Sequence, residues 1–234
     1  MKTIGLLGGM SWESSAEYYR IINQDVRARL GGSHSAQSVM VSVDFHEVEA
    51  MQARGDWAAA TRLMVESARR VEAGGADLLV ICTNTMHRMA DAIAEAIAIP
   101  LLHIADATAA AVRAAGIERI GLLGTRYTME QDFYRGRLET VHGLDVVIPD
   151  EPDRTIVHDI IYDELVRGVI DDRSRLAYGV VIDQLVERGA DGVILGCTEI
   201  ELLVSDDLRS IPLFPTTRIH AVAAVDAALA STIE

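Results

Sequence analysis

Apolar positions along the chain follow two alternating rhythms. Thr3 to Leu7 is a short apolar run ending on Gly8-Gly9, and in the stretch Glu13 to Leu30 the residues Tyr18, Ile22, Val26 and Leu30 fall at helical spacing before Gly31-Gly32. A strand followed by a helix is the expectation. Ser38 to Phe45 alternates with the period of a strand, Asp56 stands where a side chain caps a helix running to Gly74, Leu78 to Cys82 reads as a buried strand, and Pro100-Leu101-Leu102 opens another. Strands alternating with helices in this way predict an α/β fold with a parallel sheet covered on both faces.

The same order is then written a second time. IGLLGG at 4–9 returns as IGLLGT at 120–125, GADLLVICT at 75–83 as GADGVILGC at 189–197, and AIPLLHI at 98–104 as SIPLFPT at 210–216, with shifts of 116, 114 and 112 residues. Three collinear matches at a nearly constant shift are the mark of an internal repeat. The reading is two pseudo-symmetric lobes, each a parallel sheet flanked by helices: 1–115, to which a C-terminal helix within 216–234 returns, and 116–215. Ligands of open parallel sheets bind beyond the carboxyl ends of the strands. Facing lobes would therefore bring Gly8-Gly9-Met10-Ser11, Thr83-Asn84-Thr85, Gly124-Thr125 and Cys197-Thr198-Glu199 to one interlobe cleft.

Charge and cysteine content narrow the partners. Thirty-five acidic residues against twenty-one basic ones give a net charge of −14, which repels phosphate backbones and anionic lipid, so neither nucleic acid nor a membrane is an expected partner. The apolar run after Lys2 is too short for a secretory leader and is broken by Ser11-Trp12-Glu13. Two cysteines with no spaced Cys/His cluster point to a reducing compartment, taken as the cytoplasm, and the seven histidines include no close pair suited to a metal. Gly5, Gly8 and Gly9 lack the GxGxxG spacing of a dinucleotide site. Neither a metal nor a cofactor is expected.

The repeat also decides which thiol matters. Counted from the shared Gly-Ala-Asp at 75 and 189, the position eight residues on is Thr83 in the first half and Cys197 in the second. Side chains alternate across a strand, so Cys82 should point away from whatever Thr83 faces and serve as a core thiol. Cys197 ends an apolar strand just before Thr198-Glu199, where the amide dipoles of a starting helix would favour a thiolate fit to act as nucleophile or base.

GLLGGMSW, CTNTMH and LGCTEI, in this order and across the full length, resemble the aspartate/glutamate racemase family. The resemblance implies a two-lobed α/β enzyme that works without pyridoxal phosphate or metal, acts on an acidic amino acid as its small-molecule substrate and forms a homodimer. Members of the family place one cysteine in each half and move an α-proton between two bases. Here Thr83 stands in place of the first-half cysteine, and an alcohol is far too weak an acid to be a standing base. In the family the second-half cysteine serves the L-enantiomer, so the resemblance implies Cys197 as the base toward L-aspartate or L-glutamate, with Thr83 relaying a proton on the opposite face and turnover favouring the L-substrate.

An α-carbanion beside a carboxylate needs donors aimed at it. Backbone amides after Gly8-Gly9 and near Asn84, Thr85 and Thr198 are candidates, and Glu199 completes the second motif. Placement resembling family contact positions nominates Met10 as pocket wall, Gln52, Thr125 and Arg167 as substrate contacts, with Arg54 and Arg126 in reserve; an arginine suits the second carboxylate by its bidentate geometry. Arg167 at a helix end, Gln52 on a surface and Thr125 as a helix cap are equally open readings. Two rivals remain at this level. One is a single-thiol enzyme similar to arylmalonate decarboxylases, and the other is a non-catalytic two-lobed protein that binds an amino acid.

Overall fold

The computed structural model describes residues 1–204, 208 and 210–230. Its contacts divide the chain into two units, Met1–Ile104 together with the chain from His220 on, and Ala105–Ile219. The division falls one helix before the 115/116 boundary read from the repeat. The reason lies in the helix Ile104–Ala114: Asp106 is held by both Arg137 nitrogens, Nε at 2.6 Å and Nη2 at 2.8 Å, and by His142 Nε2 at 2.7 Å, all in the second unit. Residues 231–234, the end of the expected C-terminal helix, lie outside the described residues.

The first unit runs β1 (Ile4–Gly8), α1 (Trp12–Leu30), β2 (Ser38–Ser42), α2 (Phe45–Ala53), α3 (Trp57–Ala73), β3 (Leu78–Ile81), a 3-10 turn (Thr85–Met89), α4 (Ala90–Ala96) and β4 (Leu101–Leu102). Its four strands are all parallel, in the order β2-β1-β3-β4. Period-two alternation puts the two faces of β3 into separate cores. Leu78, Val80 and Cys82 pack with Tyr18, Ile22 and Val26 of α1 and with Ala221, Ala224 and Val225 of the C-terminal helix, while Leu79 and Ile81 pack with Met64, Ala68 and Val71 of α3.

Caps mark where the elements begin. Ser11 accepts from the Ser14 amide at the start of α1, and Asp56 accepts from the Ala59 amide at the start of α3, as its position in the sequence predicted. The strand read from Ser38 to Phe45 stops at Ser42 instead. Asp44 accepts from the His46 amide at 3.0 Å and opens α2, so Phe45 becomes the first residue of a helix. A local cap outcompetes a short alternation that only an edge strand would use.

The second unit repeats the plan: α5 (Ile104–Ala114), β5 (Arg119–Gly124), α6 (Arg126–Glu130), a π turn (Asp132–Gly136), α7 (Arg137–Thr140), β6 (Asp145–Val147), α8 (Asp153–Asp163), a 3-10 turn (Leu165–Arg167), α9 (Asp172–Glu187), β7 (Val193–Gly196), α10 (Ile200–Leu203), β8 (Leu213–Pro215) and the start of α11 (Thr216–Leu229), the C-terminal helix that belongs to the first unit from His220 on. The parallel order β6-β5-β7-β8 is that of the first sheet with each strand replaced by its repeat partner.

One glycine in the β1–α1 turn has no substitute. Gly9 has φ +94°, and a Cβ there would lie 2.2 Å from the Val43 carbonyl oxygen, which is backbone and cannot yield. Gly55 has φ +68° and open space around it. Gly9→Ala should therefore lose more than the roughly 1–3 kcal/mol of a strained backbone conformation, and Gly55→Ala no more than that. Urea unfolding of the two variants checks the difference; equal losses would refute the close approach.

Candidate active site

Each unit exposes its central strand end at a single residue. From 78 to 87 every residue is buried except Thr83, and from 192 to 200 every residue is buried except Cys197. Strand register gives the same equivalence. Leu7 pairs with Ile81 as Leu123 pairs with Leu195, and Gly124 pairs with Gly196, so Cys82 is level with Gly196 and Thr83 with Cys197.

Cys82 is fully buried in the core under α1, its amide donates to the Leu7 carbonyl at 2.9 Å, and burial pushes its thiol pKa far up. It is chemically silent. Cys197 is only partly exposed, and its Sγ donates to Glu199 Oε2 at 2.9 Å. Burial raises the thiol pKa well above the ordinary value, followed by the charge of Glu199 and the hydrogen bond to it; the amides of Glu199 and Ile200 pull the other way and lose. These influences oppose the pull toward a thiolate expected of a helix start. α10 is a single four-residue turn, and its few amides do not offset a buried carboxylate beside the sulfur.

The sign of that effect is testable. Glu199→Gln removes a negative charge that opposes thiolate formation, so the Cys197 pKa should fall, while burial keeps it above the unperturbed value of about 8.5. The pH dependence of Cys197 alkylation reads it directly. An unchanged or raised midpoint would mean the carboxylate does not hold the proton on sulfur.

The remaining sequence candidates divide between the units. In the first, Met10 is buried in the core cluster with Leu7 and Met86, the buried Gln52 amide donates to Met86 Sδ at 3.2 Å, and Asn84 and Thr85 are buried at the start of the 3-10 turn that follows Thr83. The surface reading of Gln52 is thus excluded. The Gly9 amide, one proposed anion donor, is engaged by Ser15 Oγ at 2.8 Å.

In the second, Thr125 caps α6 by accepting from the Thr128 amide, at the end of the strand beside β7. Thr198 Oγ1 lies 2.8 Å from Thr217 Oγ1. Arg167 sits exposed at the end of a short turn closed by Gly168 in the left-handed conformation, and Arg54 and Arg126 are exposed as well. The structure therefore gathers Cys197, Thr198 and Glu199 tightly, with Thr125 on the adjoining strand end, and leaves the role of Arg167 resting on the resemblance.

Two buried residues escaped sequence reasoning. Tyr178 of α9 donates to the Val157 carbonyl at 3.1 Å, and its phenol pKa is raised by burial and by the neighbouring Cys197 and Glu164. Nothing in its helical spacing separates it from ordinary core. His87 sits at the end of the CTNTMH motif, and its hydrogen bonds reach back to Thr83. Among the described residues no group of three or more His, Cys, Asp or Glu side chains gathers as a metal would require, and no helix is long and apolar enough to cross a membrane.

Two parallel α/β units of one topology, each opening at the same strand-end position, define the class of the two-lobed racemases. The sequence profile of the Asp/Glu/hydantoin racemases matches residues 7–224, and the chain belongs to that family. A Yersinia pestis protein provisionally described as an Asp/Glu racemase is 56% identical with a TM-score of 0.92, the match covering 98% of this chain and 100% of that one. An aspartate racemase homologue from Pyrococcus horikoshii is 29% identical with a TM-score of 0.84, over 97% and 99% of the two chains. A glutamate racemase from Persephonella marina is 30% identical over 61% of this chain and 53% of its own length, so the match spans about half of that relative.

Proposed function

We propose that the protein is a pyridoxal-phosphate-independent racemase of aspartate or glutamate in which Cys197 takes the α-proton of the L-enantiomer and Thr83 serves the opposite face. The observation that carries this reading is the pairing of the two residues. They occupy equivalent strand ends, each is the one part-exposed residue of an otherwise buried stretch, and only Cys197 carries an acidic group that a base can ionise.

The resting thiol carries its proton, so the base must be generated. Glu199 Oε2, already the acceptor of that proton, takes it, and the ammonium of an arriving amino acid lowers the cost of the thiolate that remains. The thiolate then removes the α-proton and becomes a thiol again. The carbanion is reprotonated on the opposite face by a solvent proton relayed through the Thr83 hydroxyl, giving the D-enantiomer, and Glu199 returns its proton to solvent, which restores the thiol and the carboxylate. Thr125, Asn84, Thr85, Thr198, Gln52, Met10 and Arg167 are proposed to hold the substrate. An enzyme cannot move the equilibrium between enantiomers, so the weak base at 83 shows itself as slow turnover and different saturation in the D-to-L direction.

Chiral chromatography of L- and D-aspartate and L- and D-glutamate after incubation with the protein tests the reading. Formation of the opposite enantiomer supports it; tight binding of L-aspartate with no α-proton exchange in heavy water would replace it with a binding protein. The protonated resting thiol also suits a proton donor, as in a one-thiol enzyme similar to arylmalonate decarboxylases. Release of carbon dioxide from an arylmalonate, with no exchange into either amino acid, would favour that alternative.

A further inference from the structure

Behind Thr83 lies a buried group of imidazoles, His87, His103 and His220. His87 Nδ1 is 2.7 Å from the Thr83 carbonyl oxygen, and the Ile104 amide points at His87 Nε2 from 3.2 Å. A carbonyl only accepts and an amide N–H only donates. The Thr83 carbonyl therefore requires the proton of His87 on Nδ1, and the Ile104 amide is met by Nε2 of the neutral ring. His220 presents the other nitrogen to a carbonyl: Nε2 donates to the Leu102 carbonyl at 2.9 Å, and Nδ1 lies 2.9 Å from the Tyr18 hydroxyl. The rings of His103 and His220 lie 4.7 Å and 5.6 Å from that of His87, and burial, then these two neighbours, push its pKa well below the usual range.

Comparison of the two units separates a shared task from a particular one. Four residues after Cys197 stands Glu201, as His87 stands four after Thr83. Glu201 Oε1 accepts from the Thr217 amide at 2.9 Å in the first turn of α11, as His87 Nε2 accepts from Ile104 at the first residue of α5. Capping the start of a later helix is thus common to both. The partner of the strand-end carbonyl differs: the Cys197 carbonyl accepts from the backbone amide of Ile200 at 3.2 Å, whereas the Thr83 carbonyl is met by the imidazole of His87. The thiol of Cys197 is held instead through its own side chain by Glu199.

We infer that His87 is a positioning residue for Thr83: by donating Nδ1–H to the Thr83 carbonyl it fixes the plane of the Thr83–Asn84 peptide and so the direction in which the hydroxyl is presented to the reacting carbon. This rests on the racemase reading. An alcohol that cannot ionise has to compensate by placement, whereas a thiolate attacks from a wider range of positions. The acceptor face of His87 belongs to folding and the donor face to turnover.

Two substitutions divide those faces. In His87→Gln the side-chain oxygen reaches the place of Nε2 and accepts from Ile104, but nothing donates to Thr83. In His87→Asn the amide nitrogen reaches the place of Nδ1 and donates to Thr83, but the Ile104 acceptor is lost. The readout is the amount of D-enantiomer formed per deuterium entering recovered L-aspartate or L-glutamate in heavy water, a ratio independent of the fraction of folded enzyme. Exchange into the L-enantiomer needs Cys197 alone, and formation of the D-enantiomer needs the Thr83 side too. His87→Gln should lower the ratio about tenfold or more, and His87→Asn should keep it within about twofold. Equal losses in both, a loss in Asn alone, or no loss in either would overturn the inference.

Absence of deuterium from the L-substrate with the wild-type protein would instead remove the racemase reading beneath it. Nitrogen-15 spectra of the wild-type imidazoles give a measurement that no folding defect can obscure. The Nδ1–H form is expected for His87, and the Nε2–H form would overturn the assignment.

Discussion

Cys197→Ala should abolish entry of solvent deuterium into L-aspartate and L-glutamate, while Cys82→Ala leaves it nearly unchanged. A positioned base contributes about 10²- to 10⁴-fold, so the first variant should fall by that factor in the L-direction without losing its fold. Cys82 is fully buried among Ile4, Tyr18, Leu78 and Val80, and its removal leaves a small cavity. The cost should be about 1 kcal/mol of stability, seen as an earlier urea midpoint with turnover intact. A loss of exchange in Cys82→Ala as deep as that of the Cys197 variant, in a folded protein, would reverse the assignment of the two thiols. The contrast depends on one residue of register: Leu7 pairs with Ile81 as Leu123 pairs with Leu195, which makes the buried Cys82 level with Gly196 and the part-exposed Thr83 level with Cys197.

Thr83→Cys should raise turnover of the D-enantiomer by on the order of tenfold or more, since a thiol supplies the ionisable base that an alcohol lacks. The change adds no bulk and keeps a part-exposed position, so the strand end should hold its geometry. Turnover from the L-side should rise less, because there Cys197 already performs the abstraction. The measurement is the pair of initial rates from each pure enantiomer. The new thiol lies beside no carboxylate like Glu199 in its own motif, where Thr85 holds the matching place, so its alkylation midpoint should fall below that of Cys197. Unchanged D-side kinetics in a folded variant would mean that Thr83 does not face the reacting carbon.

Much of the architecture was legible because it is local. The run from Leu78 to Cys82 and its echo at Val193–Gly196 are apolar stretches between turn signals, and two such copies at a steady shift can only build two sheets of one order. Asp56 could be read as a cap because capping is a contact between near neighbours. Ser38 to Phe45 misled for the same reason: alternation suggested a longer strand, and Asp44 ended it. The grouping of α5 with the second unit escaped the repeat, since it depends on Asp106 meeting Arg137 and His142 from far along the chain.

What the sequence determined by itself was the duplicated α/β plan and the choice of Thr83 over Cys82 as the counterpart of Cys197, because strand alternation is a property of the backbone that counting residues reveals. The tertiary structure alone decided that Cys197 is buried with Glu199 against its sulfur, which together push the thiol pKa up, and that the Thr83 carbonyl meets His87 Nδ1. Protonation answers to burial and to which donors and acceptors close in from distant segments. Those are sums over three-dimensional surroundings, and no spacing along the chain encodes them.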